Sequence, residues 1–106
     1  MENIALTEAV YCILLSLNEP RHGYGIMQLA QQFSGGRVKL AAGTLYGALG
    51  TLCEKGWIRE VPMQAGSRRR EYVITEDGRR AVAAELDRLR QLVQIGESIL
   101  SNNAKK

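Results

Sequence analysis

The stretch EAVYCILLSL, residues 8–17, is apolar on nearly every side of the helix it predicts. Thr7 stands where a capping hydroxyl belongs and Glu8 falls in the first turn, so the helix start is well marked. Ala9, Val10, Ile13, Leu14 and Leu17 gather on one side, Tyr11, Cys12 and Leu15 on the other. A surface helix keeps one polar face; this one needs cover on two. The chain has 106 residues, one domain's worth, so that cover must come from its other segments or from a second copy.

The other segments follow in a readable order. NEPRHG (residues 18–23) breaks the first helix with Pro and Gly. A second helix is predicted over 24–33, with Ile26, Leu29, Ala30 and Phe33 at helical spacing, and SGGR (34–37) ends it. In LAAGTLYGALGTLCEKGWI, Leu45, Ala48, Leu49 and Leu52 form one face of a third helix closing near Gly56. Residues 57–64 and 69–74 then predict two strands joined by QAGSR, a hairpin with glycine at its tip. Thr75 caps a long fourth helix running to about Ser101, followed by a frayed SNNAKK tail. Its apolar positions Val82, Leu86, Leu89, Val93, Gly96 and Leu100 step by three and four, flanked by Leu92, Ile95 and Ile99.

Composition narrows the function. Apolar residues at 45% and charged residues at 24% belong to a folded globular chain. Fourteen Lys and Arg against eleven Asp and Glu give +3, a balance suited to an anionic partner. The longest apolar run, residues 9–15, is too short for a bilayer, and Glu2 stands where an export signal would be basic, so a cytoplasmic protein without membrane association is expected. Cys12 and Cys53 lie alone among apolar residues and predict two small buried thiols. His22 is the only histidine, which leaves no multi-histidine metal site, and no nucleophile elbow, P-loop or dinucleotide fingerprint is present. No enzyme, metal or cofactor is expected.

Two features remain. The face of the third helix opposite its leucines is Gly43, Thr44, Gly47, Gly50 and Thr51. Each glycine there costs about 1 kcal/mol against alanine, so close approach of another molecule to this backbone is expected. The other is the run of Arg68, Arg69 and Arg70 beside the hairpin tip. Three helices followed by a hairpin is the winged helix-turn-helix plan, in which the third helix enters the DNA major groove and the wing reaches the adjacent backbone or minor groove. The small face and the arginine wing then explain each other, since guanidiniums pair with phosphates in a forked geometry.

HGYGI (22–26), GTLYGAL (43–49), EKGWI (54–58), RRREY (68–72) and TEDG (75–78) stand in an order and spacing that resembles the PadR-like transcriptional regulators, over about residues 4–80. The resemblance implies a mainly α fold with a small β-hairpin: a winged helix-turn-helix, residues 1–75, plus a C-terminal dimerisation helix, residues 76–106. It implies binding of double-stranded operator DNA, most simply as a repressor, through Lys39, Gly43, Thr44, Tyr46, Gly47, Arg68, Arg69 and Arg70. Where the family often has Ser-Pro before GTLY this chain has Ala41-Ala42, and where Lys or Arg is common it has Gly50 and Thr51. The first departure weakens the helix cap; the second shifts phosphate binding towards the wing.

Surplus apolar surface on the fourth helix implies a homodimer, with Val10, Leu14, Val82, Leu86, Leu89, Val93 and Leu100 at the interface. Shorter members of the family take flat hydrophobic compounds between subunits; the matching positions are Ala5, Glu8, Cys12, Leu86, Leu89, Arg90 and Val93. A winged-helix protein-interaction module without DNA binding is the alternative.

Overall fold

The computed structural model of the protein describes residues 5–62 and 69–104. Among the described residues seven elements follow one another: α1 (Glu8–Ser16), β1 (Arg21–His22), α2 (Gly23–Phe33), α3 (Ala42–Glu54), β2 (Ile58–Val61), β3 (Glu71–Ile74) and α4 (Glu76–Ala104). Thr7 caps α1 as expected, its hydroxyl accepting from the Val10 N–H at 3.1 Å. After α2 the chain turns through Gly35 and Gly36 at φ 63° and 89°, left-handed geometry that glycine adopts without steric cost. Ser34 Oγ then accepts from Val38 N–H at 2.8 Å and fixes the path toward α3.

The start of α3 has no side-chain cap. Ala41 occupies its N-cap position and makes no side-chain hydrogen bond to the first turn. Ala41→Ser should therefore stabilise the protein by about 1 kcal/mol, read as a raised midpoint in urea with an unchanged slope.

The sheet contains a strand that the sequence reading leaves out. Its order is β1-β3-β2, all antiparallel, with Arg21 opposite Tyr72 and His22 opposite Glu71. On the other side Ile58 pairs with Ile74 and Val61 with Glu71, so the hairpin's ladder is shorter than the predicted strands. Ile13, Leu14, Leu17, Ile26, Leu45, Leu49, Leu52, Ile58, Tyr72 and Ile74 form one core joining α1, α2, α3 and the sheet. The second face of α1 is covered only in part: Cys12 is buried with Ala30 and Val38, while Leu15 remains exposed.

Thr75 locks the hairpin to α4. Its hydroxyl donates to the Gly56 carbonyl at 2.6 Å and accepts from the Gly78 N–H at 3.1 Å. A Cβ at Gly78 would run into the Trp57 carbonyl, so the first turn of α4 packs directly on the backbone between α3 and β2. Farther along, the Glu85 carboxylate is almost fully buried and takes both Nε and Nη2 of Arg88, at 2.8 and 2.6 Å. The Arg88 hydrogen bonds hold Glu85 below the usual carboxylate range against the opposing effect of burial, and the Leu6 backbone assists. Thus the first half of α4 is fastened to its own domain, whereas Leu92, Val93, Ile95, Ile99 and Leu100 are 51–69% exposed. No helix among the described residues is long and apolar enough to cross a membrane.

Two expectations need correction. Cys53 is exposed, because the buried line of α3 is Leu45, Leu49 and Leu52 and Cys53 lies about 100° round the helix from Leu52. Partial desolvation, with Glu60 nearby, still raises its thiol pKa. Leu14, expected at a dimer interface, is fully buried in the core.

Candidate nucleic-acid interface

The face of α3 opposite its leucines is open. Gly43, Thr44, Tyr46, Gly47, Gly50 and Thr51 are all exposed. A Cβ built on Gly43, Gly47 or Gly50 would meet nothing within 4 Å, so nothing in the described fold requires glycine at these places. Thr51 Oγ1 donates to the Gly47 carbonyl at 3.2 Å, back along its own helix. No Lys or Arg lies within α3; Lys39 is exposed just before it, and Lys55 just after it sits 5.0 Å from the Trp57 ring centroid.

Tyr46 departs from that open face. Its hydroxyl lies over Gly23, where a Cβ would come within 2.5 Å of Oη and 3.0 Å of Cζ. Glycine at the first position of α2 is what lets α3 close onto it. Next to Gly23, His22 holds the N-cap position of α2, with Nδ1 3.5 Å from the Gly25 N–H. The other ring nitrogen, Nε2, is 3.2 Å from Arg69 Nη1. Tyr46, Gly23, His22 and Arg69 therefore connect the exposed side of α3 to the foot of the hairpin across the first turn of α2. Sequence reading found each motif but not the junction, which depends on β1 pairing with β3.

Arg69 and Arg70 are exposed, and Arg70 Nε lies 3.6 Å from Glu60 on the neighbouring strand. Arg68 lies outside the described residues, as does the hairpin tip at 63–68. Among the described residues no group of three or more His, Cys, Asp or Glu could hold a metal ion.

The effector positions are dispersed. Ala5 and Arg90 are exposed, and Leu86 and Val93 show 37% and 57% of their surface, while Leu89 is half-buried. Glu8 is engaged by Arg37, whose Nε and Nη2 donate to one carboxylate oxygen at 2.8 and 2.6 Å. Cys12 is only 4% exposed, closed off by Ala30 and Val38, and cannot line a shared surface. The open cavity found nearby, about 370 Å³, is bounded by Leu14, Leu15, Asn18, Phe33, Ile74, Arg79 and Val82 instead. Of the interface positions, Val10 and Val82 are partly buried against their own core, whereas Leu100 is free.

A helical core bearing an antiparallel sheet, with an open third helix beside an arginine-bearing hairpin, defines a winged helix-turn-helix protein. Residues 12–84 match the Transcriptional regulator PadR-like family. The protein belongs to that family, which consists of transcription regulators and not of enzymes. The fold is similar to a PadR family transcription regulator from Clostridium difficile, at 21% identity and TM-score 0.73, covering 89% of this chain and 99% of that one. RosR of H. salinarum is 26% identical at TM-score 0.67, with 94% of each chain covered. A PadR-like transcription factor from Bacteroides fragilis is 26% identical at TM-score 0.66, covering 85% of this chain and 87% of that one. No curated protein matches the chain.

Proposed function

We propose that this PadR-family regulator binds operator DNA as a homodimer and represses transcription, with α3 in the major groove and the arginine hairpin on the adjacent backbone. The observation that carries the reading is the junction of Tyr46 on Gly23 and Arg69 on His22, which sets an open helix face and a cationic strand end side by side. Thr44 and Tyr46 offer hydroxyls to phosphate or base edges; Gly43 and Gly47 keep the surface low; Lys39 and Arg68–Arg70 supply charge. Residues 1–75 then act as the reading head and residues 76–106 as the dimerisation helix.

Dimerisation is supported by the exposed row Leu92, Val93, Ile95, Ile99 and Leu100, more contiguous apolar surface than a monomer usually leaves in water. A flat hydrophobic effector would enter where α1 and α4 of two subunits meet, near Ala5, Leu86, Leu89, Arg90 and Val93. It would release DNA only to the extent that it favours one spacing of the reading heads over another.

Gly47→Glu tests the DNA reading. The site is open, so the variant should melt near the wild type, while an added carboxylate faces phosphate and abolishes binding of a footprinted operator duplex. Unimpaired binding would remove α3 from the groove and favour an interaction module that does not bind DNA.

A further inference from the structure

We propose that His22 is a positioning residue of the wing, giving its one lone pair to Arg69 and holding that guanidinium ready for a DNA phosphate. The inference rests on the DNA-binding reading above and deepens it. His22 sits at a crossing point: it belongs to β1, pairs with Glu71 of β3, and fills the N-cap position of α2. Both of its ring nitrogens face donors. Nδ1 is 3.5 Å from the Gly25 N–H, and Nε2 is 3.2 Å from Arg69 Nη1.

A neutral imidazole has one acceptor nitrogen and one N–H, and neither a backbone N–H nor a guanidinium can accept. Only one of the two contacts is therefore a hydrogen bond. At 3.5 Å the Gly25 contact is at the outer limit for an N–H donor, whereas the Arg69 contact is shorter and its donor is charged. The lone pair belongs on Nε2 and the proton on Nδ1. The first turn of α2 goes without an imidazole cap.

What distinguishes this contact from an ion pair is that it orients without neutralising. Arg70 has a carboxylate, Glu60, beside it, which offsets its charge. His22 adds no negative charge to Arg69. The contact engages Nη1, one nitrogen of a guanidinium that carries five N–H donors in a fixed fork, so it sets the direction of the fork without adding a carboxylate to it. Because the imidazole is set by a strand and a helix start at once, it gives the foot of the hairpin a fixed reference.

The 106-residue protein reports on this directly, because His22 is the only histidine in its sequence. In mildly alkaline solution, where an imidazole carries a single proton, long-range 1H–15N correlation spectra should show Nδ1 protonated in the wild type. In Arg69→Ala the proton should move to Nε2, leaving Nδ1 to accept from Gly25. The same tautomer in both proteins overturns the proposal. His22→Asn separates capping from positioning, since a carboxamide caps a helix well but is too short to reach Arg69. It should be at least as stable as the wild type, bind a mixed-sequence DNA duplex at low salt at least about threefold more weakly, and keep the wild-type salt slope. Unchanged affinity in His22→Asn removes the role of His22 alone. A wild type that binds no duplex defeats the DNA reading itself, and the positioning role with it.

Discussion

The double variant Leu92→Asp, Ile99→Asp is expected to sediment as a monomer at concentrations where the wild type is a dimer. Both side chains lie on one face of α4, two turns apart, and more than half of each is exposed in the single subunit. The substitutions therefore cost the fold of the subunit little. Across a two-fold interface they act four times, at about 1.5–3 kcal/mol for each buried aliphatic side chain, before the repulsion between carboxylates is added. Dimer affinity should fall by at least about four powers of ten. Operator binding should go with it, because two half-sites about one helical turn apart must be held together. These positions make a cleaner test than Leu86 and Leu89. Leu89 is half-buried and Leu86 only 37% exposed, on the half of α4 that packs on its own domain, so charge there would damage the monomer. A dimer that survives both aspartates would place the interface elsewhere.

Replacing Arg68, Arg69 and Arg70 together by alanine should flatten the dependence of DNA affinity on salt. Each phosphate contact contributes about 0.9 to the log–log slope. With two wings in a dimer the change could reach about five, and about two is the smallest value that keeps one arginine per wing on phosphate. The Glu60–Arg70 contact argues for less than the maximum, since part of that charge is already offset. Fluorescence anisotropy with a labelled duplex between low and moderate salt gives the slope directly. No change would reduce the arginine run to a solvated turn.

Much of this arrangement was legible from local rules. Thr7 and Thr75 announce helix starts through short hydroxyl side chains, and Gly35, Gly36 and Gly56 mark helix ends through positive φ. Long-range facts were not legible. Arg21 and His22 have no strand periodicity of their own; they become a strand only because Glu71 and Tyr72, fifty residues away, pair with them. The apolar period of α1 shows that Leu14 needs cover but cannot say whether its own domain or a partner supplies it. Phe33 lies on the apolar stripe of α2 yet is half exposed, at the rim of the cavity beside α4. In the candidate site Tyr46 and Arg69 stand in motifs that the sequence displays, but their contacts are not legible there. Tyr46 turns toward Gly23 and Arg69 toward His22 because of how α2 meets the sheet, which no spacing rule encodes.

The absence of any Lys or Arg from α3 has a consequence for target choice. Discrimination between base pairs would rest on neutral hydroxyl and van der Waals contacts, which release few counterions, while attraction to DNA of any sequence would rest on the hairpin. Raising the salt then weakens correct and incorrect targets in nearly equal proportion. The preference for the operator stays almost constant while occupancy everywhere declines, so ionic strength changes how much DNA is bound and leaves the ranking of sites alone.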